Sequence, residues 1–181
     1  GIYDSAFWRE DLPVAYEHTA FTSIEKIEKI ATNKGYRLTS TKKPVLNYSV
    51  DEINLDKETN ALAANNVSIK YSEGTTTSYK YDTEDKLFYR SVNGVVHKDY
   101  ITKKQYTAKN IIVTYVSNGL IADDAKGRQE LNNIGSGDGY YITNGYAIPI
   151  KWKKESRTAQ TVYSKIDGTE IDVNDGNTFI Q

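Results

Sequence analysis

Cysteine and methionine are both missing from the 181 residues. Without cysteine there are no disulfides, no thiolate metal sites and no cysteine nucleophile. Histidine occurs only at 18 and 97, which leaves few players for nucleophilic catalysis. Neither a Gly-x-Ser-x-Gly elbow nor a His-Glu-x-x-His pair occurs. No apolar run approaches the ~20 residues that a membrane span needs. The net charge of −1 gives no global field to draw the chain to nucleic acid or to an anionic membrane.

Tyrosine is abundant instead, with 15 copies, and a hydrophobic fraction of 38% suffices for a real core. The length fits one large domain, or one domain with a small attached part. Tyrosine, threonine, asparagine and lysine without cysteine fit an extracytoplasmic bacterial protein. The first residue, Gly1, reads as the trimmed end of a longer chain whose leader or upstream domain is missing.

The sequence is organised around residues 135–155, GSGDGYYITNGYAIPIKWKKE. A glycine-rich entry leads into a strand, then Asn144-Gly145, then a returning strand. Asn-Gly is the signal for a type I′ hairpin, because both turn residues need positive φ. That register puts Tyr141, Thr143, Tyr146, Ile148, Ile150 and Trp152 on one face, predicted to be the core face. Tyr140, Ile142, Ala147, Pro149 and Lys151 take the other. Pro149 cannot donate to a ladder, so the return strand is expected to be an edge or to bulge there.

Residues 1–21 show no clean period and read as irregular, with a short helical turn. A helix is predicted over 23–34: Thr22 and Glu25 form a capping box, Ile24, Ile27, Ile30 and Ala31 a stripe destined for a sheet, and Gly35 the stop. Residues 45–48 read as a short strand and 51–66 as a connection. From Val67 the period becomes two. Asn93-Gly94 and Asp167-Gly168 mark two further hairpins, the latter pairing Lys165 with Glu170 and Val162 with Val173. IIVTYV at 111–116 is apolar on both faces and belongs inside a sheet. Residues 123–133 read as a polar loop or a short helix. The predicted fold is α+β, a β-rich, twisted antiparallel sheet built from hairpins with one or two helices on it. Residues 1–56 form the N-terminal helical segment and 57–181 the β-rich domain.

Candidate sites are sparse. The second hairpin sets Arg90 opposite His97, with Asp99 further along the same face, a row that could hold an anion or tune a base. A surface ion cluster is the favoured reading of that row, and two ligands close no metal site. His18 lies near Tyr16 and Phe21 with no partner nucleophile in view. Gly135–Gly139 lacks the Lys-Ser/Thr of a phosphate loop and enters a strand, so it reads as hairpin entry. DVNDGN at 172–177 has calcium-loop composition but no distal glutamate and reads as a turn. Lys151, Lys153, Lys154 and Arg157 make a basic edge around Trp152, suited to an acidic surface or an anionic polymer; lysines guarding an edge strand are the simpler account. Tyr140, Tyr79 and Tyr81 are candidates for stacking on sugars, though most tyrosines should fill a sheet face. No cofactor is called for.

FWRED with His18 and Thr22-Ser23, the hairpin at 93–99, AKN before IIVTYV, Gly127-Arg128, residues 134–157 and the ending at 176–181 together resemble the YerB-like lipoproteins of Gram-positive bacteria. The resemblance covers most of the chain from Phe7 onward. Phe179 and Asp175 stand where the family pattern has Trp and Pro. It implies a secreted, lipid-anchored protein whose chain here is the end of a first domain and all of a second, with membrane contact only through an anchor outside it. It supplies no catalytic residues. The leading expectation is a non-enzymatic envelope domain that binds a partner protein or wall glycan, with His18, Arg90, His97, Asp99, Arg128, Tyr140, Lys151 and Lys153 as candidate contacts. The alternative is a wall-acting hydrolase using His18 or the Arg90, His97 and Asp99 row.

Overall fold

A computed structural model describes residues 4–181. The chain forms two compact units, one ending at Lys43 and the other spanning Pro44–Gln181.

In the first unit, residues expected to be irregular form two paired strands, β1 (Phe7–Arg9) and β2 (Ala20–Thr22). Helix α1 (Ile24–Asn33) follows. Its cap is Ser23, whose hydroxyl accepts from the Lys26 amide at 3.3 Å. Thr22 cannot serve as cap, because it is still paired in β2 opposite Phe7 and donates its hydroxyl to the Ala6 carbonyl. Gly35, at φ +67°, ends the helix as predicted. The isoleucine stripe meets the small β1–β2 sheet only at Phe7 among the residues lining its hollow, and it stays unburied. No α1 residue is buried, and Ile27, Ile30 and Ala31 line a shallow apolar hollow with Ala6, Phe7 and Tyr36.

The second unit begins with β3 (Asn47–Ser49) and β4 (Leu62–Ala63). Residues 44–56, assigned from sequence to the N-terminal segment, lie in this unit, and Leu55 is fully inside its core. Five strands then form one sheet: β5 (Asn66–Ser72), β6 (Thr75–Asp82), β7 (Leu87–Val92), β8 (Val95–Val96) and β9 (Thr107–Ala108). Next come β10 (Asn110–Thr114), β11 (Ser117–Leu120), β12 (Gln129–Asn132), β13 (Gly135–Thr143) and β14 (Tyr146–Lys154). The chain closes with β15 (Val162–Lys165), β16 (Asp172–Asn174) and β17 (Thr178–Ile180). The second sheet has the order β15-β14-β13-β10-β17, with β4 also on β14. The architecture is β-rich α+β, mostly antiparallel; β17 joins β10, and β16 joins β3, in parallel.

The central hairpin has the predicted register, from Thr143 opposite Tyr146 to Gly137 opposite Trp152. Its predicted core face is buried at Tyr141, Ile148, Ile150 and Trp152. The other face is buried too: Ile142 and Ala147 pack with Ile111 and Val113 against Phe88 and Tyr79 of the five-stranded sheet. Burial on both sides follows because the five-stranded sheet covers one face and Leu55, Ile171 and Val173 cover the other. Tyr79 is therefore core, at 1% exposure, and not a platform for sugars.

Three sequence readings shift. Residues 129–132 are a strand, paired with β11 across the connection 121–128, where a loop or helix was expected. The third hairpin has a three-residue loop. Ser164 bridges Glu170, and the Lys165 amide donates to the Thr169 carbonyl at 2.8 Å. Gly168 at φ +91° supplies the left-handed residue of that loop. One residue of slip sets Tyr163 opposite Ile171, so both reach the core, and leaves Lys165 free of Glu170. Finally, Gly137 and Gly139 are strand residues of β13 and not a flexible entry. A Cβ on Gly139 would sit 2.3 Å from the Val113 carbonyl oxygen, so glycine is what lets β10 approach.

Candidate functional site

Pro149 creates the most distinctive opening in the second unit. The pair flanking a two-residue turn is hydrogen bonded, and bonding alternates along the ladder. Pro149, opposite Tyr140, therefore directs its main-chain groups away from β13. On that outer side β4 pairs with Tyr146 and Ala147, and β15 pairs from Ile150 to Lys153. Ile148 and Pro149 fall in the gap between them. The proline is neither on a free edge nor in a bulge; it occupies the one stretch of β14 where no neighbour needs its missing N–H.

A groove lies over this gap. One hollow of about 330 Å³ is lined by Asn60, Pro149, Ile166 and Asp167. A second of about 280 Å³ is lined by Leu55, Tyr141, Glu170 and Asp172. Glu58, Ile148 and Lys165 border both. Ile148 gives an apolar floor, and the Lys165 ammonium donates to the Glu58 carboxylate at 2.7 Å across the groove. Hydrogen bonds from the Thr169 amide and hydroxyl hold the Asp167 carboxyl below its usual range, so it is ionised at neutral pH.

Beside the hairpin tip a second polar cluster is built for stability. The Asn144 amide donates to Glu52, to the Ile53 carbonyl and to the Asn54 side chain, each at 3.0 Å. Lys86 at 2.8 Å and Lys109 at 3.3 Å complete the surroundings of Glu52. The lysine and asparagine donors outweigh desolvation and hold the Glu52 carboxyl at about 2. Deeper, Asn110, Tyr141, Thr143 and Asn174 form a closed buried network; the Asn174 amide alone donates to Ile53 and Thr143 at 2.9 Å. Every polar group there has a partner, which marks the network as structural.

Of the sequence candidates, Arg90 and His97 do meet. Their strands pair as predicted, with the His97 amide donating to the Arg90 carbonyl at 3.2 Å. The guanidinium also contacts His97 Nδ1. A guanidinium only donates, so Nδ1 is the acceptor and the imidazole is neutral with its proton on Nε2. Burial first, and Arg90 second, push the imidazole pKa down. Arg90 is further held by the hydroxyls of Tyr79 and Thr77. Asp99 is not part of the row. Strand β8 ends at Val96, and Asp99 instead closes a turn by accepting from the Thr102 amide at 2.6 Å and from Tyr106.

The remaining candidates are dispersed. His18 is exposed in a short 3-10 turn of the first unit. Arg128 makes a bidentate pair with Asp124 at the β11–β12 turn. Tyr140 is half-buried, edge-on to Tyr115. Lys151 pairs with Asp138 opposite it on β13, and Lys153 with Glu155. Two of the four cations of the basic edge are thus paired, and Lys151 and Lys153 guard no free edge, because β15 covers β14 at both. Glu58, Asn60 and Ile166 of the groove were not singled out from sequence. Pro149 was the available signal, since an interior proline requires a break in pairing.

Comparison with known proteins bears on this arrangement. Residues 66–180 match the family described as protein of unknown function (DUF3048), C-terminal domain. The chain is 31% identical over 156 residues to "Putative lipoprotein YerB" of Bacillus subtilis (strain 168), which covers 83% of this chain and 44% of that one. The crystal structure of YerB protein from Bacillus subtilis superposes with a TM-score of 0.77 at 28% identity, over 98% of this chain and 56% of the other. The chain thus spans less than half the length of that curated relative.

Proposed function

The chain belongs to the DUF3048 C-terminal-domain family, and on that footing we propose that it is an extracytoplasmic binding domain of a cell-envelope lipoprotein. It contacts a partner protein or wall glycan and performs no catalysis of its own. The observation that carries this reading is the groove over Ile148 and Pro149. It is an open, part-apolar, part-charged surface set on a sheet that is packed on both faces, so recognition groups are held on a rigid frame. Location at the cell surface is taken from the relative's description as a lipoprotein.

A hydrolase is the less supported alternative. Arg90 occupies Nδ1 of His97, the atom an orienting carboxylate would need, and Asp99 is engaged by Thr102 and Tyr106.

The test is a titration of the isotope-labelled chain with soluble muropeptides and teichoic acid fragments, together with photo-crosslinking from positions Asn60 and Ile166 in envelope extracts. Binding is expected to shift the amides of Asn60, Lys165 and Ile166. No shift and no crosslink at these positions would overturn the groove as the site. Turnover of wall material that is lost in His18→Ala or His97→Ala would overturn the non-catalytic reading.

A further inference from the structure

The groove's charge and backbone narrow its occupant, on the premise that the groove is the binding site. Its two hollows are bordered by four carboxylates, Glu58, Asp167, Glu170 and Asp172, and by one cation, Lys165. Their sum disfavours an anionic polymer and favours an ammonium group. The backbone at the gap is equally one-sided. Proline has no N–H, so the one main-chain polar group that position 149 can offer outward is its carbonyl, an acceptor. The pairing of Ile150 with Lys165 sets the Ile166 amide beside that carbonyl, which keeps a second lone pair for another donor. Ile148 beneath and Ile166 beside it supply apolar contact.

We propose that this groove takes a short extended peptide segment of a partner protein, carrying a lysine-type primary ammonium. The segment fills the break between β4 and β15. One of its amides donates to the Pro149 carbonyl, and its ammonium lies between Glu58 and Asp167. Adding backbone to an open strand position is an established mode of peptide capture, in which main-chain bonds bind and adjacent pockets select the side chain. Size agrees. The gap is two residues long and each hollow is near the lower end of ligand-site volumes, which suits a few residues and not a long glycan.

Lys165 already makes the contact that the incoming ammonium would take. With side chains 34% and 35% exposed, the Lys165–Glu58 pair is part-buried. An incoming ammonium restores the contact that Lys165 gives up, so the exchange of one for the other costs little. Lys165 is in this account an internal stand-in for the ligand.

The test titrates the whole labelled chain with the capped tripeptide Thr-Lys-Thr and with its neutral counterpart Thr-Gln-Thr. The lysine peptide should shift Asn60, Lys165 and Ile166, weaken as salt is raised, and bind at least about tenfold tighter than the glutamine peptide. Glu58→Gln combined with Asp167→Asn should abolish that preference. Lys165→Gln should tighten the lysine peptide by removing its competitor, a gain that a merely damaged fold would not give. Equal shifts from both peptides, or weaker binding to Lys165→Gln, would overturn the assignment. If muropeptides shift these amides and the lysine peptide does not, the ligand class falls while the groove stands as the binding site. If no probe shifts them, both fall.

Discussion

The side-chain amide of Asn144 donates to the carbonyl of Ile53 at 3.0 Å, fastening the tip of the central hairpin to a segment 91 residues earlier. Asn144 is thereby more than a turn residue. It sits at φ +48°, and the same amide also reaches Glu52 and Asn54. Segment 52–58 forms part of one wall of the groove, so the turn helps to place it.

Asn144→Ala should therefore destabilise the chain by about 2–4 kcal/mol, from lost hydrogen bonds and a left-handed backbone that alanine resists. Asn144→Gly relieves the backbone alone and should cost about 1 kcal/mol less. Urea unfolding of both variants checks this. Equal losses would mean that the amide contacts account for the whole effect.

Acid should weaken the same junction through Glu52. Its carboxyl is held at about 2 in the fold, against an ordinary 4.5. A lowered carboxylate contributes stability that is complete above 4.5 and is lost as pH falls toward 2. The side chain is 40% exposed, so screening keeps the contribution modest. Glu52→Gln should flatten the acid limb of a stability–pH profile in that window by lowering the neutral plateau, with stability near pH 2 almost unchanged. An unchanged slope would mean that Glu52 is not the group that titrates there.

Much of this architecture is legible in the sequence, and the misses have physical causes. Asn93-Gly94 and Asn144-Gly145 fix their hairpins because only a few residues accept two successive positive φ values, so register follows from position alone. Asp167-Gly168 misleads by one residue. Its glycine serves a three-residue loop, and the burial of Tyr163 and Ile171 decides between the alternatives. Thr22 satisfies the capping pattern, yet pairing with Phe7 claims it for a strand. The lysines at 151 and 153 look like a basic edge because their acidic partners, Asp138 across the hairpin and Glu155, do not announce themselves as partners. The groove is hidden for a related reason. It is lined by Glu58, Pro149 and Lys165, which converge only through non-local pairing, and Pro149 alone signals that something must be missing beside it.

Glycine in β13 offers a sharper test of packing. Alanine at 139 would place its Cβ 2.3 Å from the Val113 carbonyl oxygen, a backbone atom that cannot move without shifting β10. At Gly137 the obstacle is the Trp152 ring at 2.6 Å. Gly74 meets nothing within 4 Å. Gly139→Ala should lower the melting temperature most, by roughly 4–12 °C if overpacking costs about 2–3 kcal/mol at about 2–4 °C for each. Gly137→Ala should do less, since a side chain can tilt, and Gly74→Ala should be close to neutral. Similar values for all three would remove close backbone approach as the reason for these glycines.

His97 provides the last test, because its two perturbing causes can be separated. Burial is the larger and Arg90 the smaller, and both lower the pKa below the ordinary 6.5. The groups that face the ring are the Arg90 guanidinium at Nδ1 and the Tyr106 ring, 4.8 Å between centroids, with Asp99 beyond on the Tyr106 hydroxyl. Arg90→Gln removes the cation and leaves most of the burial, so the pKa should rise and still remain under 6.5. Proton NMR of the imidazole reads this directly. Stability follows the same sign: the neutral ring's contribution is full above 6.5 and declines as pH falls below it, because the unfolded chain then binds the proton more readily. In Arg90→Gln that decline should shrink. A His97 pKa at or above 6.5 in the unaltered chain would mean that the guanidinium does not rest against the imidazole in solution. The neutral, Nε2-protonated form assigned here would then be wrong, and with it the main geometric objection to a base at this position.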